Sequence, residues 1–349
     1  MLAPAVSIHT QRWYRQLTDS GIDVNLITAS PAEGTDIPQV TIAGNHTGAW
    51  RYLLTVGHVM RVVEDINPDI VHCHYATSYG LWGANIRFHP LIISAWGSDI
   101  TVTPKNSITA RLITRRNLKA ADRICATSEY LSSKIVDLVP AVAGNIDIVP
   151  FGIDTDIFVP SVDRGFDPDH ITVGTARALE TTYGLDILIK AFASIRLRYG
   201  NAKLKIVGDG PELQSLESLV SDLELGESVE FRGRLKSSEM PEFIGSLDIF
   251  AMPSREESFG VAALEAMSCG VPVVASNVGG LPEILDNGNC GRLVEPNNPD
   301  AFSDAILSLL GDRNTMKKLS EAGRTRVLEN FSASICTDKQ ISVYKSLLH

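Results

Sequence analysis

What this chain lacks narrows its chemistry before anything else does. Its five cysteines (Cys73, Cys125, Cys269, Cys290 and Cys336) form no C-x-x-C pair. Neither zinc-finger spacing nor a disulfide framework is indicated, and reduced thiols are expected. No apolar run reaches the roughly 18 residues a membrane-spanning helix needs. The opening, MLAPAVSIHTQRW, shows no basic segment followed by an apolar stretch, so a secretory signal is not expected. Positive charge is in deficit, with 31 Lys and Arg against 41 Asp and Glu and a net charge of −10. That field opposes binding to nucleic acid. A G-x-G-x-x-G string is also missing; Gly208-Asp209-Gly210-Pro211 carries only two of the glycines, which argues against a nicotinamide-dependent oxidoreductase. A cytoplasmic protein is the expectation.

What is present reads as an α/β protein. The 349 residues, 44% hydrophobic and 21% charged, suit about two domains of roughly 150 residues each. Short β-branched runs alternate with amphipathic stretches. Strands are expected at Val24–Thr28, Ile70–His74, Leu91–Ser94, Arg123–Thr127 and Asp147–Pro150. A second set is expected at Ile171–Thr175, Lys203–Val207, Val229–Arg232, Ile249–Met252, Val273–Ala275 and Gly291–Val294. Such alternation predicts parallel sheets covered by crossover helices. The proline- and aspartate-rich stretch Asp156–His170 marks the boundary. The expected division is residues 1–158, residues 159–330, and a C-terminal helix over 331–349 that packs back on the first domain. At the amino end the chain enters a helical pattern, Thr10–Ser20, almost at once. Either Leu2–Ile8 is a short first strand or that strand is truncated.

The most informative segment is Pro253–Leu285, PSREESFGVAALEAMSCGVPVVASNVGGLPEIL. It reads as a loop, a helix from Val261, a turn, a strand and a Val-Gly-Gly loop. Gly260 lets a ligand approach the backbone, and the free N–H groups of Phe259 to Ala262 suit an anion such as phosphate. Glu257 and Glu265 bracket this helix start. Either alone would pass for an ordinary charge at a helix amino terminus. Together beside a phosphate site, they suit the paired hydroxyls of a ribose and a sugar. A nucleotide sugar fits this pattern.

These residues resemble the retaining family-4 glycosyltransferases, whose GT-B fold sets two Rossmann-like, doubly wound domains face to face across a cleft. The resemblance rests on Glu257 and Glu265 within ESFG…LEAMSCGVPVVAS…VGGLPE. It extends to Val207–Pro211 (VGDGP), Val149–Asp154 (VPFGID), Val71–His74 (VHCH) and Trp96–Asp99 (WGSD). The resemblance implies that Glu265 grips the ribose and Glu257 binds the donor sugar. Ser258, Phe259, Gly260 and Val261 would hold sugar or phosphate, while Gly208, Gly210, Arg234 and Leu235 lie by the nucleobase. His74 matches the family's active-site histidine. His72, two residues earlier, is expected on the other side of the strand in a structural role. Acceptor recognition falls to the loops Ser7–Arg12, Gly44–Arg51 and Tyr75–Trp82, with His9, Arg12, Tyr75, Trp96 and Asp99 as candidates. The aromatics Tyr75, Tyr79, Trp82 and Trp96 are able to stack on sugars, although burial is the commoner fate of such rings.

The implied chemistry uses no protein nucleophile. The leaving diphosphate takes the acceptor's proton while the acceptor attacks the same face, and the protein stabilises the leaving group's charge. Arg177 is the candidate cation. The family commonly places a lysine before the glycine of the next turn, but this chain reads Glu180-Thr181-Thr182-Tyr183-Gly184. No metal or other cofactor is expected; Asp154-Thr155-Asp156 spells D-x-D but belongs to the interdomain segment. The expected partners are a UDP- or GDP-sugar and a glycan or lipid-linked acceptor of cell-surface polysaccharide assembly. Arg111, Arg115, Lys119 and Arg123 repeat every four residues, with Arg116 nearby. A basic run is usually a solvated face, but here it also suits an anionic inner-membrane surface. Rival readings are a GT-B epimerase or phosphorylase, and a partner subunit that binds a nucleotide sugar without turning it over.

Overall fold

A computed structural model describes residues 1–42, 48–161, 167 and 169–348, with the backbone alone for Ala49. The chain divides into two compact units, Met1–Gly152 with Ala333–His349, and Ile153–Ser332. The division falls ahead of the expected 158/159 boundary for a packing reason. Phe151 stacks on His9 within the first unit, whereas the Phe158 carbonyl accepts a hydrogen bond from Ser268 within the second.

The first unit runs α1 (Ile8–Asp19), β1 (Leu26–Thr28), β2 (Gln39–Thr41), α2 (Gly48–Ile66), β3 (Val71–His74), α3 (Gly80–Ile86) and β4 (Leu91–Ala95). Two short helices, α4 (Ser98–Thr101) and α5 (Thr103–Asn106), lead into α6 (Ile108–Ala120). Then follow β5 (Arg123–Ala126), α7 (Glu129–Leu138) and β6 (Ile146–Ile148). β3 and β4 are buried along their whole length, as strands covered on both faces must be. β1 pairs with β2, and β3, β4, β5 and β6 follow in order, all parallel. Leu2 joins the two groups by bridging Ile27 and Cys73. Leu2 thus occupies the sheet position between β1 and β3. From it the chain builds β1 and β2 on one side and returns to β3 on the other, so the sheet's topological switch lies between Leu2 and β3.

The second unit contains β7 (Thr172–Ala176), α8 (Leu185–Arg198), β8 (Lys203–Val207), α9 (Leu213–Asp222), β9 (Val229–Phe231), α10 (Met240–Gly245) and β10 (Ile249–Met252). After these come α11 (Val261–Ser268), β11 (Val273–Ser276), α12 (Leu281–Ile284), β12 (Arg292–Val294), α13 (Pro299–Gly311) and α14 (Arg313–Asn330). Its parallel sheet has the order β12-β11-β10-β7-β8-β9. β7 comes first, β8 and β9 leave to one side, and β10 returns on the other side of β7. Open α/β sheets bind ligands outside the carboxyl ends of the strands at such a switch. The C-terminal helix α15 (Ala333–Lys345) belongs to the first unit, where Thr337 donates to Gln16 of α1 at 3.4 Å.

Candidate active site

In the second unit the switch is occupied by two charges. Arg177 follows β7 and Glu257 follows β10, and the guanidinium Nη2 donates to the Glu257 carboxylate. Both side chains are nearly buried, at 9% and 12% exposure, so the attraction is screened far less than at a surface. The guanidinium lies over the Tyr183 ring, 4.1 Å from its centroid. Arg177 Nε is buried and has no acceptor among the described residues. A buried donor left unpaired is costly, and an incoming anion would satisfy it. Three further buried hydroxyls without partners among the described residues, Thr175, Ser254 and Ser276, sit at or just beyond the carboxyl ends of β7, β10 and β11.

Glycine makes this loop cluster possible. Gly279 has φ +58°, and a Cβ there would lie 1.6 Å from the Glu257 carbonyl oxygen. Gly280 N–H donates to that same oxygen at 3.0 Å, so the Val-Gly-Gly loop holds the loop carrying Glu257. On the other side of the switch, Gly208 (φ +141°) would put a Cβ 1.7 Å from the Arg177 carbonyl oxygen. The loops carrying the two charges are thus each pressed against a glycine turn. Gly260, at φ +110°, opens α11 without a side-chain cap among the described residues, leaving a helix amino terminus of the kind that suits an anion.

The remaining donor candidates occupy this cluster in different ways. Glu265 lies within α11 and is buried. The Phe259 ring is in the core, edge-on to Phe331 at 6.0 Å, and so does not face a ligand. Ser258 and Val261 are half-buried beside it. Gly210 packs on Leu179, whose carbonyl oxygen would lie 2.4 Å from a Cβ there. Arg234 is exposed and faces Asp209 at 3.6 Å, with Leu235 half-buried next to it. No lysine stands before Gly184; Tyr183 is there, on Arg177. Asp154 accepts from the backbone of Asp156 and Ile157, so D-x-D forms a turn.

In the first unit, His74 ends β3 inside an aromatic cluster. Its ring lies 4.5 Å from that of Trp96, which meets Tyr75 at 4.9 Å and Phe151 at 5.2 Å. His9 stacks on Phe151 at 4.4 Å. The Nδ1 atoms of His9 and His74 are buried without partners among the described residues. Burial, then the Arg12 charge, brings His9 down to about 4. Burial, then His72, holds His74 well below the usual imidazole range. Both rings are therefore neutral at pH 7 and resist taking up a proton, though a neutral imidazole can still accept a hydrogen bond.

Several expectations are corrected here. His72 and His74 share one face, their rings 4.6 Å apart, because residues two apart in a strand point the same way. His72 is fully engaged, with Nδ1 at 2.7 Å from the Tyr344 hydroxyl and Nε2 at 2.7 Å from Ser94. Asp99 is buried, accepting from the backbone N–H groups of Ala76, Trp96 and Gly97 at 2.7, 3.1 and 2.9 Å. It pins the loops that carry Tyr75 and Trp96 and has little left for an acceptor. Burial still raises its pKa. Tyr79 and Trp82 are core residues, the commoner fate expected of such rings; the Trp82 indole donates to the Tyr52 carbonyl at 2.9 Å. Residues 44–47 of the Gly44–Arg51 loop lie outside the described residues. Arg123 is not on the basic helix: α6 ends at Ala120, and Arg123 opens β5 facing Asp147 at 3.8 Å. Phe151 and Tyr183 were missed as site residues, although each stands within a motif already singled out.

Comparison with known proteins decides the family. Residues 161–326 match the family described as Glycosyl transferases group 1, and residues 1–128 match Glycosyl transferase 4-like. The chain belongs to these glycosyltransferases. Its fold is GT-B, with two Rossmann-like domains. This glycosyltransferase is 29% identical to an uncharacterized glycosyltransferase of Methanocaldococcus jannaschii, over 98% of this chain and 94% of that one. It is 34% identical to a GDP-mannose-dependent alpha-(1-6)-phosphatidylinositol monomannoside mannosyltransferase of Mycolicibacterium smegmatis, over 64% of this chain and 62% of the relative. Among solved structures, HepE of Anabaena in complex with UDP superposes with a TM-score of 0.85, covering 99% of both chains at 19% identity. The last shows shared fold alone.

Proposed function

We propose that this glycosyltransferase moves a hexose from a UDP- or GDP-sugar to a glycan or lipid-linked acceptor in cell-surface polysaccharide assembly, with retention at the anomeric carbon. The observation that carries this reading is the buried Arg177–Glu257 pair at the β7/β10 switch, with Arg177 Nε lacking an acceptor among the described residues. A diphosphate satisfies that donor, and a sugar hydroxyl donates to the carboxylate freed from the pair. Glu265 takes the ribose, and the open amino terminus of α11 adds its partial charge. The leaving diphosphate then receives the acceptor's proton, and Arg177 stabilises the charge that develops. His9 and His74, neutral at pH 7, serve the acceptor through their free ring nitrogens. A relative named for GDP-mannose and a structural neighbour holding UDP support a nucleoside-diphosphate donor without choosing the base.

The test is a donor screen over UDP- and GDP-sugars scored for nucleoside-diphosphate release. Release with one donor, abolished by Glu257→Ala, supports the proposal; binding without turnover contradicts it. A membrane-bound acceptor is supported by α6. Ile108 and Leu112 are 80% and 62% exposed, one turn apart beside Arg111, Arg115, Arg116 and Lys119, a combination suited to an anionic cytoplasmic leaflet. Co-sedimentation with anionic vesicles checks it, and absence of binding at low salt removes the membrane from the account. Among the described residues, no helix is long and apolar enough to cross a membrane.

A further inference from the structure

We propose that Tyr183 is the positioning residue of Arg177, holding that guanidinium ready for the donor diphosphate. The inference rests on the donor-site reading above. Its starting point is the place where the sequence departs from its family: the residue before Gly184 is Tyr183, and the ring faces the one cation already assigned, 4.1 Å from the guanidinium carbon. A guanidinium keeps its donors in its own plane. With its carbon over the ring, the guanidinium keeps donors for anions, and here one of them holds Glu257 while Nε waits.

The ring can fix the guanidinium only if its own backbone is fixed, and it is. Arg255, just beyond β10, gives its N–H to the Thr182 carbonyl at 2.8 Å and its guanidinium to the Thr181 carbonyl at 2.6 Å. Arg255 is in turn anchored on Asp186 at 2.9 Å. Gly184, at φ +64°, lets the turn close on β10, since a Cβ there would lie 2.1 Å from the Pro253 carbonyl oxygen. Arg255 is thus a clamp on the loop bearing Tyr183. With that loop stapled across the switch, Tyr183 limits where Arg177 can go. The guanidinium can turn from Glu257 towards a phosphate while its carbon stays over the ring.

The experiment is a double-mutant cycle on the full chain, read as UDP and GDP affinity by calorimetry together with donor KM and kcat. Tyr183→Phe keeps the ring and should leave the dissociation constant within about threefold. Tyr183→Leu should weaken the bound nucleotide about tenfold, raise donor KM, and melt within a few degrees of Tyr183→Phe. In an Arg177→Ala background, Tyr183→Leu should cause no further loss, because the ring acts only through the guanidinium. Additive losses, or Tyr183→Phe as damaging as Tyr183→Leu, overturn the inference while leaving the donor site standing. If Arg177→Ala leaves both nucleotides bound as before, or neither binds the unmodified enzyme, the donor-site reading fails and this inference fails with it.

Discussion

Glu257→Gln separates a charge that competes with the donor from one that merely decorates the site. The carboxylate and the Arg177 guanidinium are paired, with side chains only 12% and 9% exposed. Two unit charges about 4 Å apart at an effective permittivity near 20 attract by about 4 kcal/mol. The amide still accepts a hydrogen bond, so only part of that attraction is lost. A net change of roughly 1.4–2.7 kcal/mol corresponds to ten- to hundredfold in an equilibrium constant. Because the carboxylate both occupies Arg177 and repels an arriving diphosphate, its removal should tighten UDP or GDP by that factor. The sugar loses its acceptor at the same time, so the preference for nucleotide sugar over nucleotide should fall, and turnover with it. Calorimetry with the nucleoside diphosphate and its sugar conjugate, at low and physiological salt, reads both effects. Unchanged or weakened nucleotide binding would refute the reasoning, since it would mean that Arg177 does not receive the phosphate.

Other outcomes follow from the same geometry. His9 and His72 are depressed to about 4 and about 3, and His74 is also held low, mainly by burial, whereas all three titrate near 6.5 once unfolded. The unfolded chain then binds more protons, so stability falls as pH drops below about 6.5, by up to about 4 kcal/mol per pH unit for three imidazoles. Urea midpoints that stay flat from pH 7 to pH 5 would contradict this. Gly279→Ala forces a Cβ onto the Glu257 carbonyl at φ +58° and should weaken nucleotide binding at least tenfold; Gly226→Ala, with open space around it, should be silent in the same calorimetric titration. Asp99→Ala strands two buried N–H groups and a half-buried one and should cost about 3 kcal/mol, or roughly 6–12 °C in melting temperature. A drop of under two degrees would remove its pinning role.

The sheet-forming runs were legible where strands buried on both faces must be apolar, as in β10 at its expected limits Ile249–Met252, and where apolar residues interleave with lysine, as in β8 at its expected limits Lys203–Val207. β2 was not legible. Gln39–Thr41 is a half-exposed strand at the sheet margin with no apolar run to announce it. Nor could pattern reveal that Leu2 alone would complete the sheet, since one residue has no periodicity. Arg177 and Glu257 were each legible from motif, but their union was not. It depends on β10 returning beside β7, a strand order that sequence spacing does not encode. Tyr183 was seen only as a missing lysine because its meaning lies in a neighbour reached by a turn. His72 lies on the same side of β3 as His74, not the opposite one, because a strand's side chains repeat every two residues; its bonds to Tyr344 and Ser94 suit the structural role expected of it.

The most direct measurement is a crystal structure of this glycosyltransferase with UDP or GDP bound. Arg177 should part from Glu257 and bring its guanidinium within about 3 Å of a phosphate oxygen, with the diphosphate at the amino end of α11 and Glu265 on the ribose. A nucleotide seated elsewhere, with Arg177 and Glu257 still joined, would contradict it.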